Sequence, residues 1–576
     1  MLTKDSSKNP DKAAEALVMA GESRKIKQSP VGRTSATERD PNTSEKFSFW
    51  LPQGVIVNPF DIVEVDQIGT GKQRTSKTYG LVTTLEHRTD SPTHLANFIS
   101  SNFGELNEEP NTPRQGTTVA YVNVLSNDQD IYMPVQSESL VTFADADAIQ
   151  KALGIDQMSP EDRVPAGLIK MSNGIAAVAY IDRRYVVGPE SAHINISGIS
   201  GLATKTSYAM FIIQSILQTT VKDKNKIAVI ILNVKHGDLL QIDKRPEKNL
   251  PSEEMEEWEA LGLEPKPFDE GTVHYYLPRG PKGVPNSFLE PDLYQTYAYD
   301  LDATIDKLDF LFSEVSDPSG AVEALIGDIM VGIQAREKDF KNVYSWDNLL
   351  NGEPLVKEGK TQKLGDHYSS TVGKLRRQLR RMVKTMQSGI FIDSRSKNER
   401  VLSKEIEKIK GGHTYVVDIA KLYEHEQMLV FGDILRTVYS LKAEAPEDRK
   451  EPVPEKIIFF VDELNKYAPS GTSKTSPIAE QVLDIAERGR SLGVILISAQ
   501  QFMSAVHSRV TGNSATKIIG RSGSAEVLQA DYRFLDNDIK MSVTRLGKGE
   551  LLISHAVYRQ PVKIIFPKPA YRQQQF

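Results

Sequence analysis

Two textures of apolar patterning divide the chain. From Phe47 to about Gly188, short alternating runs recur: VIVNPFDIVEV, TYGLVTTLEH, TTVAYVNVL, IYMPV, IAAVAYI and YVVG, broken by glycine and Asn-Asp turns. Alternation of period two with frequent turns predicts short strands, and strands at this spacing suggest a barrel rather than a parallel sheet. From about residue 190 the runs become continuously apolar, IAVIILNV, TYVVDIA, IIFFVDE and VILISA, and they alternate with helix-period stretches. A run apolar at every position is a strand covered on both faces, so this part reads as α/β with a parallel sheet.

These textures set the expected domains. Residues 1–45 are rich in Ser, Lys, Asp, Thr and Pro and read as a flexible tail with a short helix around Ala13 to Ala20. Residues 46–188 form the expected β-barrel, interrupted by a polar insertion at 89–115. Residues 189–240 and 411–576 form the expected α/β core. The intervening 241–410 are too long for a crossover and read as an inserted helical bundle, with TIDKLDFLFSEV, AVEALIGDIMVGIQ and SSTVGKLRRQLRRMVKTMQ as amphipathic candidates. The last carries Lys374, Arg376, Arg377, Arg380, Arg381 and Lys384 around Leu375, Leu379, Met382 and Met386. Such a face can contact phosphates, and it equally suits solvent or a subunit contact. The tail VKIIFPKPAYRQQQF is either a final edge strand or a segment that lies on an adjacent subunit.

The sharpest chemistry lies in SGISGLATKTS, residues 197–207, between the apolar run Ile194 to Ile196 and the helix-like SYAMFIIQSIL. Strand, small-residue loop and helix in that order present backbone N–H groups and a helix N-terminus to phosphate oxygens. Gly198 and Gly201 supply backbone freedom, with Ser200, Leu202, Ala203 and Thr204 completing the loop and Ser207 following it. Lys205 is the point charge for the outer phosphates, and the Thr206 hydroxyl is the Mg²⁺ ligand. The strict pattern wants glycine at 199 and 204, where Ile199 and Thr204 stand, so the cradle is reshaped. The rival IGTGKQRTS at 68–76 has Asp66 and Gln73 at required positions and runs into an alternating stretch, so it reads as a hairpin loop.

A second segment, IIFFVDELNKYAP, ends a buried-strand run in Asp462 and Glu463. Phosphoryl transfer needs a held metal and an oriented water; Asp462 suits the first task, partly through a metal-bound water, and Glu463 the second. An acidic helix cap after a core strand is the ordinary alternative. Further on, ERGRSLGVILISAQQ places Gln500 at a strand end as a candidate phosphate sensor, with Arg488 and Arg490 before the strand. Either arginine could act as a finger on a neighbouring subunit's ATP or be a surface residue.

The order of the glycine loop, FVDELNKYAP, ERGRSLGVILISAQQ and NSATKIIGR resembles HerA-type ATPases of the HerA/FtsK group, from about residue 50 to the C-terminus. The resemblance implies a RecA-like P-loop ATPase core behind a small β-barrel, a homo-hexamer, and movement on double-stranded DNA through a central channel. It implies P-loop roles for Lys205 and Thr206, Mg²⁺ and water roles for Asp462 and Glu463, a sensor role for Gln500, and a finger at Arg490, with Arg488 next. NVKHGDLL at 233–240 retains only Asp238 of the family's acidic motif, and Asp238 takes no role here. The altered loop is similar to those of HerA proteins paired with a nuclease or sirtuin-like NAD hydrolase in bacterial antiphage systems.

Composition narrows the picture. The 576 residues carry 25% charged and 39% hydrophobic residues, ordinary for a globular protein of several domains. No cysteine occurs, which excludes disulfides and thiolate metal sites. The N-terminus lacks an apolar signal core, and no apolar stretch approaches a bilayer's thickness, so a cytoplasmic location without membrane contact is expected. A net charge of -6 confines any DNA contact to a local patch. The expectation is an ATP- and Mg²⁺-dependent translocase serving an effector enzyme, or alternatively a nucleotide-binding hexameric scaffold that activates its partner without moving on DNA.

Overall fold

The computed structural model describes residues 29–70, 74–107, 115–199, 205–220, 224–289, 295–315, 317, 319–447, 449–471 and 476–573. The helix expected near Ala13 to Ala20 lies outside these residues, as do residues 200–204 of the glycine loop.

Six strands, β1 (Gly32–Thr34), β2 (Lys46–Leu51), β3 (Ile62–Ile68), β4 (Thr75–Thr89), β5 (Gly116–Asn127) and β6 (Leu140–Phe143), close a barrel in the order β1-β2-β5-β4-β3-β6. Their alternation buries Phe47, Phe49, Leu51, Val63, Val65, Leu81 and Val122. The barrel therefore begins before residue 46, inside the expected tail, and it ends at Phe143. The 68–76 loop is the β3–β4 turn, with Ile68 opposite Thr75. The polar insertion carries a helix at His94–Ser100, started by Thr93, whose hydroxyl accepts the Ala96 N–H.

The remaining long strands are β7 (Arg163–Lys170), β8 (Ala176–Asp182), β9 (Ile194–Ser197), β10 (Ile227–Asn233), β11 (Val273–Pro278) and β12 (Thr296–Tyr297). After a small hairpin of β13 (Val356–Lys357) and β14 (Lys360–Thr361) come β15 (Glu399–Arg400), β16 (Thr414–Asp418), β17 (Lys456–Asp462), β18 (Val494–Gln500), β19 (Thr516–Ile519), β20 (Glu550–His555) and β21 (Val562–Ile565). One 13-stranded sheet runs β15-β12-β11-β16-β10-β17-β18-β9-β19-β20-β21-β7-β8. It is parallel from β15 to β19 and antiparallel beyond. The fold is α/β, a largely parallel 13-stranded sheet with helices on both faces, an N-terminal β-barrel and an inserted helical region.

Three boundaries differ from the expectation, each because strand pairing overrides local texture. IAAVAYI belongs to β8, and with β7 it completes the main sheet instead of the barrel; IYMPV and YVVG form no strand. Residues 241–410 contribute β11, β12 and β15 to the sheet, so only their middle is a helical bundle. The C-terminal VKII is an interior strand, β21, between β20 and β7, and residues 566–573 after it make contacts within the same chain. There Phe566 packs edge-on against Tyr208 at 5.0 Å, and the Trp258 indole N–H donates to the Lys568 carbonyl at 3.0 Å.

Strands β10 and β18 are buried at every position, and β17 at every position after its first. Alternate residues feed two cores. Val229, Ile231, Ile458, Phe460, Ile495 and Ile497 face the side of the helix Lys205–Thr219, in a core continuous with the barrel's. Ala228, Ile230, Leu232, Phe459, Val461 and Leu496 face the helices Glu424–Ala443 and Pro477–Leu492 and the helical insert. Each large side chain so buried contributes about 1.5–3 kcal/mol. Among the described residues no helix is long and apolar enough to cross a membrane.

Two buried histidines tie strands together. His555 Nε2 accepts the Asp182 N–H at 3.0 Å while its Nδ1 meets the Thr516 hydroxyl at 2.8 Å, and His193 Nδ1 accepts the Leu496 N–H at 2.9 Å. Burial pushes both imidazoles down from 6.5 to about 4. The unfolded chain then binds more protons between those values, so stability is full above pH 6.5 and falls as pH drops toward 4. Each histidine accounts for on the order of 3 kcal/mol of that fall. Thermal melts should show a midpoint that is flat above pH 7 and declines steadily from pH 6.5 to 4.5; a flat profile across that window contradicts the assignment.

Candidate functional site

The parallel strands β9, β17 and β18 end at one edge of the sheet, and the segments singled out in the sequence follow them there. Gly198 leaves β9 with φ +150, and a Cβ on it would lie 3.0 Å from Gly520 Cα. The turn is held by Ile199 N–H to Arg521 O at 2.8 Å and Gly520 N–H to Ser197 O at 2.7 Å. Only glycine allows this approach. Residues Ser200, Gly201, Leu202, Ala203 and Thr204 lie outside the described residues; Lys205 then opens the next helix.

Lys205 is buried, and its Nζ donates to the Gly198 carbonyl at 2.7 Å, across the mouth of the loop. Burial lowers its ammonium below the ordinary lysine range, although Asp462 and Glu463 pull the other way. Thr206 donates its hydroxyl to Asp462 Oδ2 at 3.3 Å, which joins the glycine-loop helix to the end of β17. Ser207 is buried and receives the Gln573 amide at 3.4 Å, so the C-terminal segment reaches this helix.

Asp462 Oδ1 accepts the Glu463 N–H at 2.9 Å. Glu463 itself sits at φ 56, ψ 45, a left-handed conformation that is uncommon for a residue with a Cβ and that clusters at functional sites. Its carboxylate accepts from Lys235 Nζ, which also lies 3.6 Å from Asp462 Oδ2. Burial would lower Lys235, but Asp462 and Glu463 outweigh it and hold the ammonium above its ordinary range. Sequence reasoning passed over Lys235. Its signal was the position just past β10, the strand that pairs directly with β17. Asp238, also from that loop, is pushed up by burial, with the Asp462 charge adding to it.

Gln500 ends β18 opposite Ser197 and is fully buried. Its amide N–H donates to Asn195 Oδ1 at 2.8 Å, and Asn195 in turn donates to Ser498 Oγ at 3.0 Å. Among the described residues Gln500 Oε1 and Ser197 Oγ have no hydrogen-bond partner, which leaves two orphaned polar atoms at the base of the glycine loop. Arg488 and Arg490 are not brought to this edge. They lie at the C-terminal end of the helix Pro477–Leu492, before β18 begins, roughly 20 Å of strand away from its end. Arg490 donates to the Glu190 carbonyl at 2.7 Å, and exposed Arg488 pairs with Asp484 at 3.2 Å.

The donor set suits a hard divalent cation shared with phosphates. Mg²⁺ is commonly held by one or two carboxylates plus substrate oxygens, and here a hydroxyl and a carboxylate oxygen face each other with a second carboxylate adjacent. Among the described residues no group of three His, Asp or Glu side chains is placed to hold a metal ion alone.

No protein-family model matches the chain, and no curated protein sequence matches it. Among solved structures it is similar to the bacterial conjugative coupling protein TrwBdeltaN70, at 11% identity over 74% of this chain and 93% of that one, with a TM-score of 0.43. The plasmid coupling protein TrwB in complex with ADP and Mg²⁺ overlaps 66% of this chain and 86% of its own at 11% identity, TM-score 0.39. The genome packaging NTPase B204 from Sulfolobus turreted icosahedral virus 2, in complex with AMPPCP, overlaps 28% of this chain and 72% of its own at 14% identity, TM-score 0.21. These overlaps are loose, and the site is defined by this chain's own geometry.

Proposed function

We propose that the chain is an ATP-hydrolysing motor of the HerA/FtsK group that assembles as a homo-hexamer and moves on double-stranded DNA held in a central channel. It would serve a partner effector enzyme, a nuclease or sirtuin-like NAD hydrolase, in bacterial antiphage defence. One observation carries the ATPase reading: Thr206, Asp462 and Glu463 are joined by hydrogen bonds at one sheet edge, and Lys205 lies in the field of both carboxylates. The effector and the defence role rest on the resemblance of the altered loop to HerA proteins that work with such enzymes.

In this reading Lys205 leaves the Gly198 carbonyl for the outer phosphates, as a flexible stem with a compact charge can. Thr206 and Asp462 would hold Mg²⁺, which when bound neutralises phosphate charge. Glu463, fixed by its left-handed backbone, orients the attacking water and takes its proton. Gln500 is held beside the loop, where its orphaned oxygen can report on the nucleotide through Ser197. Arg490, remote from its own P-loop, would act on the neighbouring subunit's nucleotide, with Arg488 the second choice. The scaffold alternative draws support from Ile199 and Thr204 in place of loop glycines and from the net charge of -6. ATPase turnover measured with and without double-stranded DNA separates the two: stimulation belongs to the motor, indifference to the scaffold.

Lys205→Ala should weaken ATP binding, whereas Glu463→Gln should bind ATP normally and lose about 100-fold or more in turnover, read by fluorescent-analogue binding and steady-state assay. Wild-type turnover in Glu463→Gln would reject its role.

Mixing Arg490→Ala with Lys205→Ala, each inactive alone, should restore boundaries with an intact lysine on one side and an intact arginine on the other. Partial ATPase should return in verified mixed rings. Rescue only with Arg488→Ala in place of Arg490→Ala would move the finger two residues earlier.

The basic helix Ser369–Arg380 buries Val372, Leu375 and Leu379, and a π turn at Arg381–Thr385 brings Val383, not Met386, to the core. Arg376 is spent on the Leu350 carbonyl and Lys384 on Asp393, which leaves Lys374, Arg377, Arg380 and Arg381 exposed. If this face meets DNA, changing those four to Glu should weaken DNA binding uniformly across sequences and flatten its salt dependence. An unchanged salt slope would assign the face to solvent or a subunit contact.

A further inference from the structure

Lys235 is the most exposed charged side chain among the described residues that contact Asp462 and Glu463. Asp462 and Glu463 are nearly buried, with side chains 6% and 15% exposed, and both are anchored at the end of β17. The Lys235 side chain keeps 42% exposure and comes from the loop after β10 on a long flexible stem. Asp462 Oδ1 is engaged by the Glu463 N–H, so Oδ2 is the oxygen on which Thr206 and Lys235 converge. Those are the oxygens that a divalent cation would need, and an ammonium held against them repels such an ion. Lys205 does not fill this role, because its ammonium is turned to the Gly198 carbonyl.

We propose that Lys235 is an exchangeable counter-ion of the metal-holding carboxylates: a divalent cation entering at Asp462 and Glu463 displaces its ammonium, which then turns to the terminal phosphate beside Lys205. The inference rests on the nucleotide-site reading and adds a residue to it. No covalent bond of the protein or nucleotide is made or broken in the exchange; carboxylate oxygens would replace water on the metal as the lysine ion pair opens, and the released positive charge meets the added negative charge of the phosphates. Lysine suits this better than arginine, since a compact ammonium is released more readily than a forked, bidentate guanidinium.

The test uses Mn²⁺ alone on the full-length, nucleotide-free protein, with free Mn²⁺ followed by its paramagnetic resonance signal. Lys235→Met should bind one Mn²⁺ per chain at least about tenfold more tightly than wild type, because a positive charge a few ångströms from the metal is removed. Asp462→Asn added to that variant should abolish the gain, which locates the ion. Mn²⁺ affinity equal to wild type in both Lys235→Met and Lys235→Gln overturns the exchange; two variants with intact melting curves guard against a folding defect. The second half is read from the preference for a fluorescent ATP analogue over the matching ADP analogue. That preference should fall about tenfold in Lys235→Met, and an unchanged preference overturns the turn to phosphate. Failure of wild-type protein to bind either analogue would instead reject the ATPase reading, while the Mn²⁺ comparison would still decide the exchange.

Discussion

Burial of β10, β17 and β18 on both faces is the constraint on which the rest depends. A strand covered on both sides has no place for charge along its length, and a parallel neighbour forces its end to emerge at the same edge. Asp462, Gln500 and the start of the glycine loop are therefore neighbours by topology, although some 260 residues separate the two halves of the site. Helices on one face and barrel plus glycine-loop helix on the other hold that edge rigidly.

Electrostatics at the edge follow from that burial. Two lysines and two carboxylates lie within reach of one another, and each charge is partnered, as burial demands. Beneath them the Ser498–Asn195–Gln500 chain threads an otherwise apolar sheet. Buried polar groups of this kind cost stability unless satisfied, and among the described residues Gln500 Oε1 in this chain and the nearby Ser197 Oγ are orphaned. The orphans lie beside the residues that resemble phosphate-binding ones, which is where unsatisfied atoms have a use.

The barrel and the insert are joined to the core rather than tethered to it. Asn123 of the barrel donates to Asp536 at 2.6 Å, Asn58 donates to Ser172 at 2.8 Å, and the barrel's apolar residues run into the core of the main sheet. The insert adds strands β11 and β12 to the sheet edge before its helical middle and β15 after it.

What the sequence by itself determined was local. Period two announced the barrel strands, continuous apolar runs announced the parallel sheet, and strand-loop-helix order around Lys205 and Thr206 marked a candidate phosphate loop. Asp462 and Glu463 stood out as two carboxylates ending an apolar strand downstream of the glycine loop, a pattern that an acidic helix cap also gives. The tertiary structure alone decided which strands pair: β7 and β8 left the barrel for the main sheet, and β21 became interior, since pairing is a long-range choice that alternation cannot encode. It also decided the company of the site. Lys235 looks like any surface lysine in NVKHGDLL, and only the adjacency of β10 and β17 places its charge on both carboxylates. Arg490 stands near the strand leading to Gln500 in sequence but at the opposite end of that strand in space, because a helix returns antiparallel to the strand it precedes.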